Sequence, residues 1–322
     1  MSRFRSHPFG TASDSSVTDP ATVTRDRLLE VCAPRLGKMA IPDELIPQAG
    51  PGEFRLRLGL RPFDPSAWFV FGDDRAEAMA EKRTLLSTQF DDVFRAEPGT
   101  EAKSQEILDE VVGNLQTHHP NVFSLVRHEL DVPLHPLDTA GRLVQDDLVL
   151  MDDSRGTLRF VAGSVCAPNR WKLAVKFGGD MLHIHRPVPE YATIASPAEQ
   201  TMQRLTPERS LWRLNWNIMD NPDRYQPAGV VLRPSIRTPE AAATRLWLRI
   251  ERQTLRRFPR TNALVFCIRT MTCRIDELAG RSHEAAQLLG AVDQLPPWMI
   301  EHRDMSRYIG PLRDWLTEVG GT

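Results

Sequence analysis

The stretch from Arg245 to Thr270, RLWLRIERQTLRRFPRTNALVFCIRT, has the clearest secondary-structure pattern in the chain. Its first nine residues alternate strictly between two faces of a predicted strand. One face is apolar: Leu246, Leu248 and Ile250. The other carries larger side chains: Trp247, Arg249, Glu251 and Gln253. The run 263–270 predicts the partner strand of an antiparallel hairpin, joined by a connection of about nine residues.

The polar face of this first strand has two readings. On a solvated sheet, an alternating polar face is routine surface. Trp247 shares the face, however, and a large aromatic side chain needs cover. A covered Arg249–Glu251 pair is costly unless each group satisfies the other, which is typical of a functional pocket.

Other segments predict a mixed protein of the α+β class around this hairpin. Apolar and polar residues follow strand periodicity at 54–60, 143–151, 158–165 and 211–219. Helical patterns cover 73–94, 102–117, 198–205, 282–294 and 308–319. Residues 1–45, rich in Ser, Thr and Pro at their start, predict a flexible tail with room for a short helix. Residues 46–322 predict one domain.

Composition excludes several classes of function. The 322 residues are 41% hydrophobic and 25% charged with a net charge of -2, which predicts a soluble globular protein without attraction to nucleic acid or membrane. The four cysteines have no metal-ligand spacing and indicate a reduced, cytoplasmic protein. Dinucleotide, phosphate-loop and zinc-protease motifs are absent from the sequence.

The stretch from Trp171 to Pro189, WKLAVKFGGDMLHIHRPVP, holds the most suggestive histidines. A turn at Gly178–Gly179 predicts a following strand, in which His183 and His185 point the same way. Three interpretations stay open at this point. The pair is ordinary surface, or it binds a metal ion with Glu251 as third ligand, or one imidazole is the axial ligand of a haem iron.

The strand predicted at 211–219, LWRLNWNIM, carries a second polar face inside an otherwise apolar run. Arg213 and Asn215 lie on that face beside Trp216. They are a candidate pocket lining, although a structural arginine with satisfied hydrogen bonds explains the pattern equally well.

Several of these blocks, taken in order, resemble the haem-dependent oxidative N-demethylase family. They are LGLRPFDPSAWF, LVQDDLVLM, SVCAPNRW, WKLAVKFGGDMLHIHRPVPEY, WRLNWNI and LRIERQTLRRFPRTNALVFCIRT, and they span roughly 54–310. The resemblance implies a PAS-like fold, in which helices flank a curved antiparallel sheet that holds haem b, with additional helices at both ends. It implies removal of a methyl group from a secondary amine such as dimethylamine, using O2 and releasing formaldehyde. Electrons from NADPH would arrive through separate flavin and iron–sulfur subunits, and so a hetero-oligomer is expected.

The resemblance also implies roles for individual residues. His185 falls on the histidine of the family's IHxPVP block and is predicted to bind the haem iron, with His183 at most in support. Catalytic roles are predicted for three residues: Glu251, Arg213 and Tyr191. Contacts to the cofactor are predicted for Arg249, Trp216, Lys176 and Gln253. Glu251 suits a carboxylate that holds a substrate ammonium or takes its proton. Arg213, Arg249 and Lys176 suit donors to a haem propionate, and either arginine also suits a donor to oxygen at the iron. A haem sensor or storage protein without turnover is the alternative function.

Overall fold

The structure, a computed structural model, describes residues 41–227 and 236–321, and their β-strands form one open antiparallel sheet. Its seven strands are β1 (Arg61–Pro62), β2 (Phe94–Ala96), β3 (Asp147–Asp152), β4 (Arg159–Ser164), β5 (Leu211–Met219), β6 (Trp247–Arg257) and β7 (Leu264–Arg274). The order across the sheet is β1-β5-β6-β7-β3-β4-β2. Together with the helices below, this sheet confirms the predicted α+β class.

Twelve α-helices occur in the described part of the chain. They are α1 (Arg75–Thr88), α2 (Phe90–Val93), α3 (Glu101–His118), α4 (Pro120–Val126), α5 (Pro136–Leu143), α6 (Leu173–Lys176), α7 (Met181–Ile184), α8 (Ala192–Gln203), α9 (Pro239–Arg245), α10 (Ser282–Asp293), α11 (Pro297–His302) and α12 (Ile309–Gly320). Short 3-10 helices cover Asp43–Leu45, Pro65–Ala67, Arg127–Asp131 and Ile275–Leu278. None of the described helices has the length and apolar character needed to cross a membrane.

The predicted hairpin is the centre of the sheet. Strands β6 and β7 pair over their full length, from Trp247 opposite Arg274 to Arg257 opposite Leu264. The connection, residues 258–263, is shorter than predicted because both strands continue past the alternating motif. Strand β5 pairs on the other side of β6, so that Arg213 lies opposite Gln253 and Asn215 opposite Glu251.

Both faces of the sheet are covered. On one face, Leu248 and Ile250 pack with α9, α10 and α12, and Leu148 and Leu150 pack with α1, α3 and α5. The other face carries Leu255 with residues of β3, β4 and α6–α8. We call this second face the pocket face, because it is the face of Arg249, Glu251 and Gln253. Helices on both faces of the sheet explain why β6 is buried at nearly every position.

The strand predictions at 54–60 and 211–219 have opposite outcomes. The segment 54–60 alternates in exposure as predicted, with Phe54 and Leu56 half-buried on the core and Arg55 and Arg57 exposed, but it forms no strand. Its pairing with β5 begins only at Arg61, and so 54–60 is extended backbone without a ladder. The strand predicted at 211–219 is confirmed with its bounds.

The domain prediction falls partly outside the described residues, because 1–40 are not described. Ile41, Leu45 and Ile46 are buried in the core beneath α10 and α12. The packed part of the chain therefore begins before residue 46. The three described cysteines are buried and free: Cys166, Cys267 and Cys273.

Arginines on the central strands bind loop carbonyl groups. Arg252 donates to the carbonyls of Ala67 and Trp68, at 2.7 and 2.9 Å. Arg269, its neighbour in the sheet, donates to the Val70 carbonyl and to Asp74. These bonds satisfy backbone groups that would otherwise be buried without partners. They attach the segment 67–74 to the sheet.

Asp146, the residue before β3, lies close enough to Arg252 and Arg269 for their charges to act on it. Its own environment is unusual. Both of its carboxyl oxygens are buried and lack a hydrogen-bond partner among the described residues. Burial raises the pKa of Asp146 to about 6, although the charges of Arg269, Arg252 and Lys82 oppose the shift. The folded protein therefore keeps this proton at pH values where the unfolded chain has released it.

We expect Asp146→Asn to stabilise the protein increasingly as the pH rises. Between pH 4 and pH 7, its unfolding free energy should gain about 2 kcal/mol relative to the parent, because an amide carries no charge to bury. Denaturant unfolding at several pH values measures the difference. Asp74→Asn is the control of opposite sign. Burial raises the pKa of Asp74, but Arg269 and Arg224 outweigh burial and hold the pKa below its usual value. A pH-independent effect of Asp146→Asn would contradict the prediction.

Candidate functional site

The predicted strand through His183 and His185 is wrong, because the stretch forms the short helices α6 and α7. The Asp180 side chain accepts a hydrogen bond from the backbone N–H of His183 at 2.8 Å and caps α7. This local cap outweighs the alternating pattern. The glycine turn is present, and Gly178 has a φ of 78°. A Cβ at Gly179 would lie 2.3 Å from the His183 ring, so only glycine fits there.

The two histidines therefore point differently. His183 is exposed, and its Nε2 is 2.8 Å from the carbonyl oxygen of Val175. His185 ends α7, with its Nδ1 3.0 Å from the carbonyl oxygen of Met181. A carbonyl can only accept, so Nδ1 of His185 carries the hydrogen and Nε2 keeps its lone pair. No described residue bonds that Nε2.

The imidazole of His185 is held neutral and fixed in orientation. Burial lowers its pKa to about 4, aided by the positive charges of Lys176 and Arg213 and opposed by the hydrogen bond to the Met181 carbonyl. The Tyr191 ring stacks on it, with centroids 4.1 Å apart and planes 13° apart. Burial in turn raises the pKa of the Tyr191 hydroxyl to about 12, so this side chain stays neutral as well. A neutral, oriented imidazole with a free Nε2 is the form that binds a metal.

Glu251 is the carboxylate of the pocket face. It is 7% exposed, and its Oε2 accepts from the side-chain amides of Asn215 at 3.1 Å and Gln253 at 2.9 Å. Its Oε1 is 3.5 Å from Nε of Arg249. These neighbours hold the carboxylate in one orientation, as a group that binds a cation or accepts a proton requires.

Three further cations surround Glu251. Its negative charge acts on Lys176, Arg213 and Arg303, whose own burial lowers each pKa. The pKa of Lys176 falls to about 8, and that of Arg303 to about 10. Lys176 lies over the ring of Trp171 and Arg303 over that of Trp216, each 4.3 Å from the centroid. The pocket therefore holds more positive than negative charge.

Arg249, predicted to contact the cofactor, is occupied by the protein itself. It is 1% exposed. Its guanidinium donates to the carbonyls of Ala167, at 2.5 Å, and Arg224, at 3.0 Å. Its remaining nitrogen faces Glu251. This arrangement suits a residue that anchors two loops and positions Glu251.

The structure brings the predicted residues together around β5 and β6. Six of them each contact a neighbour in the group or act on it electrostatically: His185, Tyr191, Lys176, Arg213, Glu251 and Gln253. Trp216 lies on the opposite face of β5 and reaches the group through Arg303. Arg303 and its neighbour His302 also belong to this group, although neither was predicted. Burial and the charges of Arg303 and Lys176 lower the pKa of His302. Their only signal is the polar run EHRD at the end of α11.

A non-haem metal centre at His183, His185 and Glu251 is not supported. Within 41–227 and 236–321, no group of three or more His, Cys, Asp or Glu side chains is arranged to hold a metal ion. His183 is unavailable for such a site, because its Nε2 is bonded to the Val175 carbonyl.

The same residues fit haem. Porphyrin iron needs only one protein nitrogen, which Nε2 of His185 offers. Half-buried apolar side chains border the loop that carries His185: Phe177, Ile184 and Val188. Nε of Arg213 and Nη1 of Arg303 are buried without a partner among the described residues. Both N–H groups would suit an anionic acceptor on the cofactor.

Comparison with protein families identifies the family of the chain. The model of the family described as haem-dependent oxidative N-demethylase, alpha subunit-like, matches residues 59–312. The match takes in the whole sheet and both polar strands of the pocket face. The alpha-subunit description points to an enzyme with further subunits. The chain therefore belongs to the haem-dependent oxidative N-demethylase alpha subunit-like family.

Proposed function

We propose that this chain binds haem b through His185 and removes a methyl group from a small secondary amine resembling dimethylamine. The reaction consumes the amine, O2, NADPH and a proton, and yields the primary amine, formaldehyde, water and NADP+. One observation carries the proposal: His185 is neutral, is oriented by Met181 and Tyr191, and presents an Nε2 that no described residue bonds.

Bound haem would supply the iron centre at which O2 and electrons oxidise the N-methyl group. The remaining work belongs to side chains of the chain. Glu251 receives the ammonium form of the amine and takes a proton from its nitrogen, because an amine is oxidised more readily when its lone pair is free. Asn215 and Gln253 keep the acceptor oxygen in place, and Arg249 fixes the other oxygen.

Aromatic and cationic side chains complete the proposed site. Tyr191 prevents rotation of the His185 ring by stacking on it. Lys176 and Arg213 are proposed donors to the haem propionates, since charged N–H groups form the stronger hydrogen bonds to carboxylates. Trp216 supports the site from the edge of the sheet by packing under Arg303.

Electrons are proposed to come from NADPH through separate flavin and iron–sulfur subunits, in the cytoplasm. The sequence lacks a dinucleotide-binding motif and a cysteine cluster, which supports this division of labour. Such a catalytic chain works as part of a hetero-oligomer.

Spectroscopy and product analysis test the proposal. Protein purified from haem-replete cells should show a Soret band that shifts on addition of dimethylamine. With a reductase and NADPH, formaldehyde should form in a 1:1 ratio to the amine consumed. A haem protein that releases no formaldehyde from any small secondary amine would instead be a non-catalytic sensor or storage protein. A colourless chain that cannot bind added haemin would refute the haem assignment.

A further inference from the structure

The cations around Glu251 outnumber the carboxylates that face them. Lys176, Arg213 and Arg303 all feel the charge of Glu251, and no side-chain hydrogen bond joins any of the three to another described residue. Arg249 is a separate case, because the buried Asp147 also acts on it. Three cations against one carboxylate leave an excess of about two positive charges among half-buried side chains.

Two of these cations have buried N–H groups without partners. Nε of Arg213 and Nη1 of Arg303 are shielded from solvent and unbonded in the part of the chain that the structure describes. A buried charged donor without an acceptor is costly, and proteins retain such groups where a ligand supplies the acceptor. The contact of its guanidinium with the Trp216 ring, 4.3 Å from the centroid, limits how far Arg303 can turn away.

We infer that Arg303, together with Arg213 and Lys176, forms a binding site for carboxylate groups, and that Arg303 is its central donor. The inference rests on the proposed function. A planar guanidinium matches a carboxylate with two parallel hydrogen bonds, which Lys176 cannot offer. Two carboxylates would balance the whole excess charge and one would balance half of it, so the ligand carries at least one carboxylate group.

Two sources could supply this chemistry. The two propionates of the porphyrin provide both charges at once. A secondary amine that carries its own acid group, such as N-methylglycine, provides one of them beside Glu251. In the first case Arg303 sets the affinity for the cofactor, and in the second it selects the substrate.

Variants of the full chain distinguish the sources. With haemin as probe, Arg303→Leu should speed haem transfer to a scavenging apoprotein by about ten- to a hundredfold, the loss typical of a charged hydrogen bond. With haemin dimethyl ester, whose propionates are uncharged, variant and parent should release the porphyrin at equal rates. Arg303→Lys should retain part of the affinity for haemin. Arg307→Leu is the matched control, because Arg307 bonds Asp220 and Asp304 in the same segment.

The amine arm uses dimethylamine and N-methylglycine, titrated by the Soret shift or, in a chain without haem, by the fluorescence of the seven tryptophans, among which Trp216 contacts Arg303. Weaker binding of N-methylglycine alone in Arg303→Leu would support the substrate as source. Unchanged haemin release and unchanged binding of both amines would overturn the inference, even if the chain binds haem and turns over. A chain that binds no haem refutes the proposed function, while the fluorescence titration still tests Arg303.

Discussion

Replacing His185 by alanine is expected to lower the affinity for haem by about 100-fold or more and to remove formaldehyde production. Loss of an outer partner alone typically costs 10–100-fold at a metal site, and His185 is the proposed ligand itself. The Soret band should weaken or shift. Added imidazole should restore part of it, because the small ring can occupy the space that alanine leaves.

His183→Ala is the matched control for this variant. Its ring is exposed and, within the described residues, bonds only the Val175 carbonyl, so the Soret band should keep its position. An unchanged spectrum in His185→Ala, or equal losses in both variants, would refute the assignment of the ligand. Far-ultraviolet circular dichroism of both variants checks that α6 and α7 remain folded.

The second large effect is expected from Glu251→Gln, which should slow demethylation by about 10²–10⁴-fold while haem remains bound. Glutamine keeps the shape of the side chain but loses the negative charge, and so it neither pairs with an ammonium nor accepts its proton. The amine should also bind less tightly. Its ammonium group would meet the positive charges of Lys176, Arg213 and Arg303 without the offsetting charge of Glu251. Steady-state kinetics with formaldehyde detection measures both losses.

Glu199→Gln provides the control for charge alone. Glu199 accepts a hydrogen bond from the backbone of Leu158 and acts on Tyr191 only through its charge, so its variant should keep most of the activity. If Glu251→Gln turns over at the parental rate, Glu251 is a structural group and another residue or water takes the proton.

The central strands were predictable because long-range pairing and local pattern agree there. The alternation at 245–253 predicts two faces, and the register of β5 on β6 then places Arg213 and Asn215 beside Gln253 and Glu251. Periodicity also locates α3, whose observed bounds are Glu101–His118. Pro120 follows the end of α3 and begins α4, because its missing N–H costs nothing at a helix start.

The histidine loop and part of the site could not be predicted in this way. Alternation of Leu182, His183, Ile184 and His185 favours a strand, but a single capping bond from Asp180 decides for a helix. Arg303 could not be predicted as a site residue for another reason. It is distant in sequence from Glu251, and only the packing of α11 at the sheet edge brings it over Trp216.

The arginines of β6 that bind loop carbonyls affect how a sequence match to the block RIERQTLRR should be interpreted. Within RIERQTLRR, Arg249 and Arg252 bind the carbonyls of four loop residues, while Glu251 and Gln253 face the pocket. A relative that had lost its chemistry would still need both arginines in order to fold. The arginines of the block are therefore markers of ancestry and architecture, and a forecast of turnover should be made from the residues at positions 251 and 253.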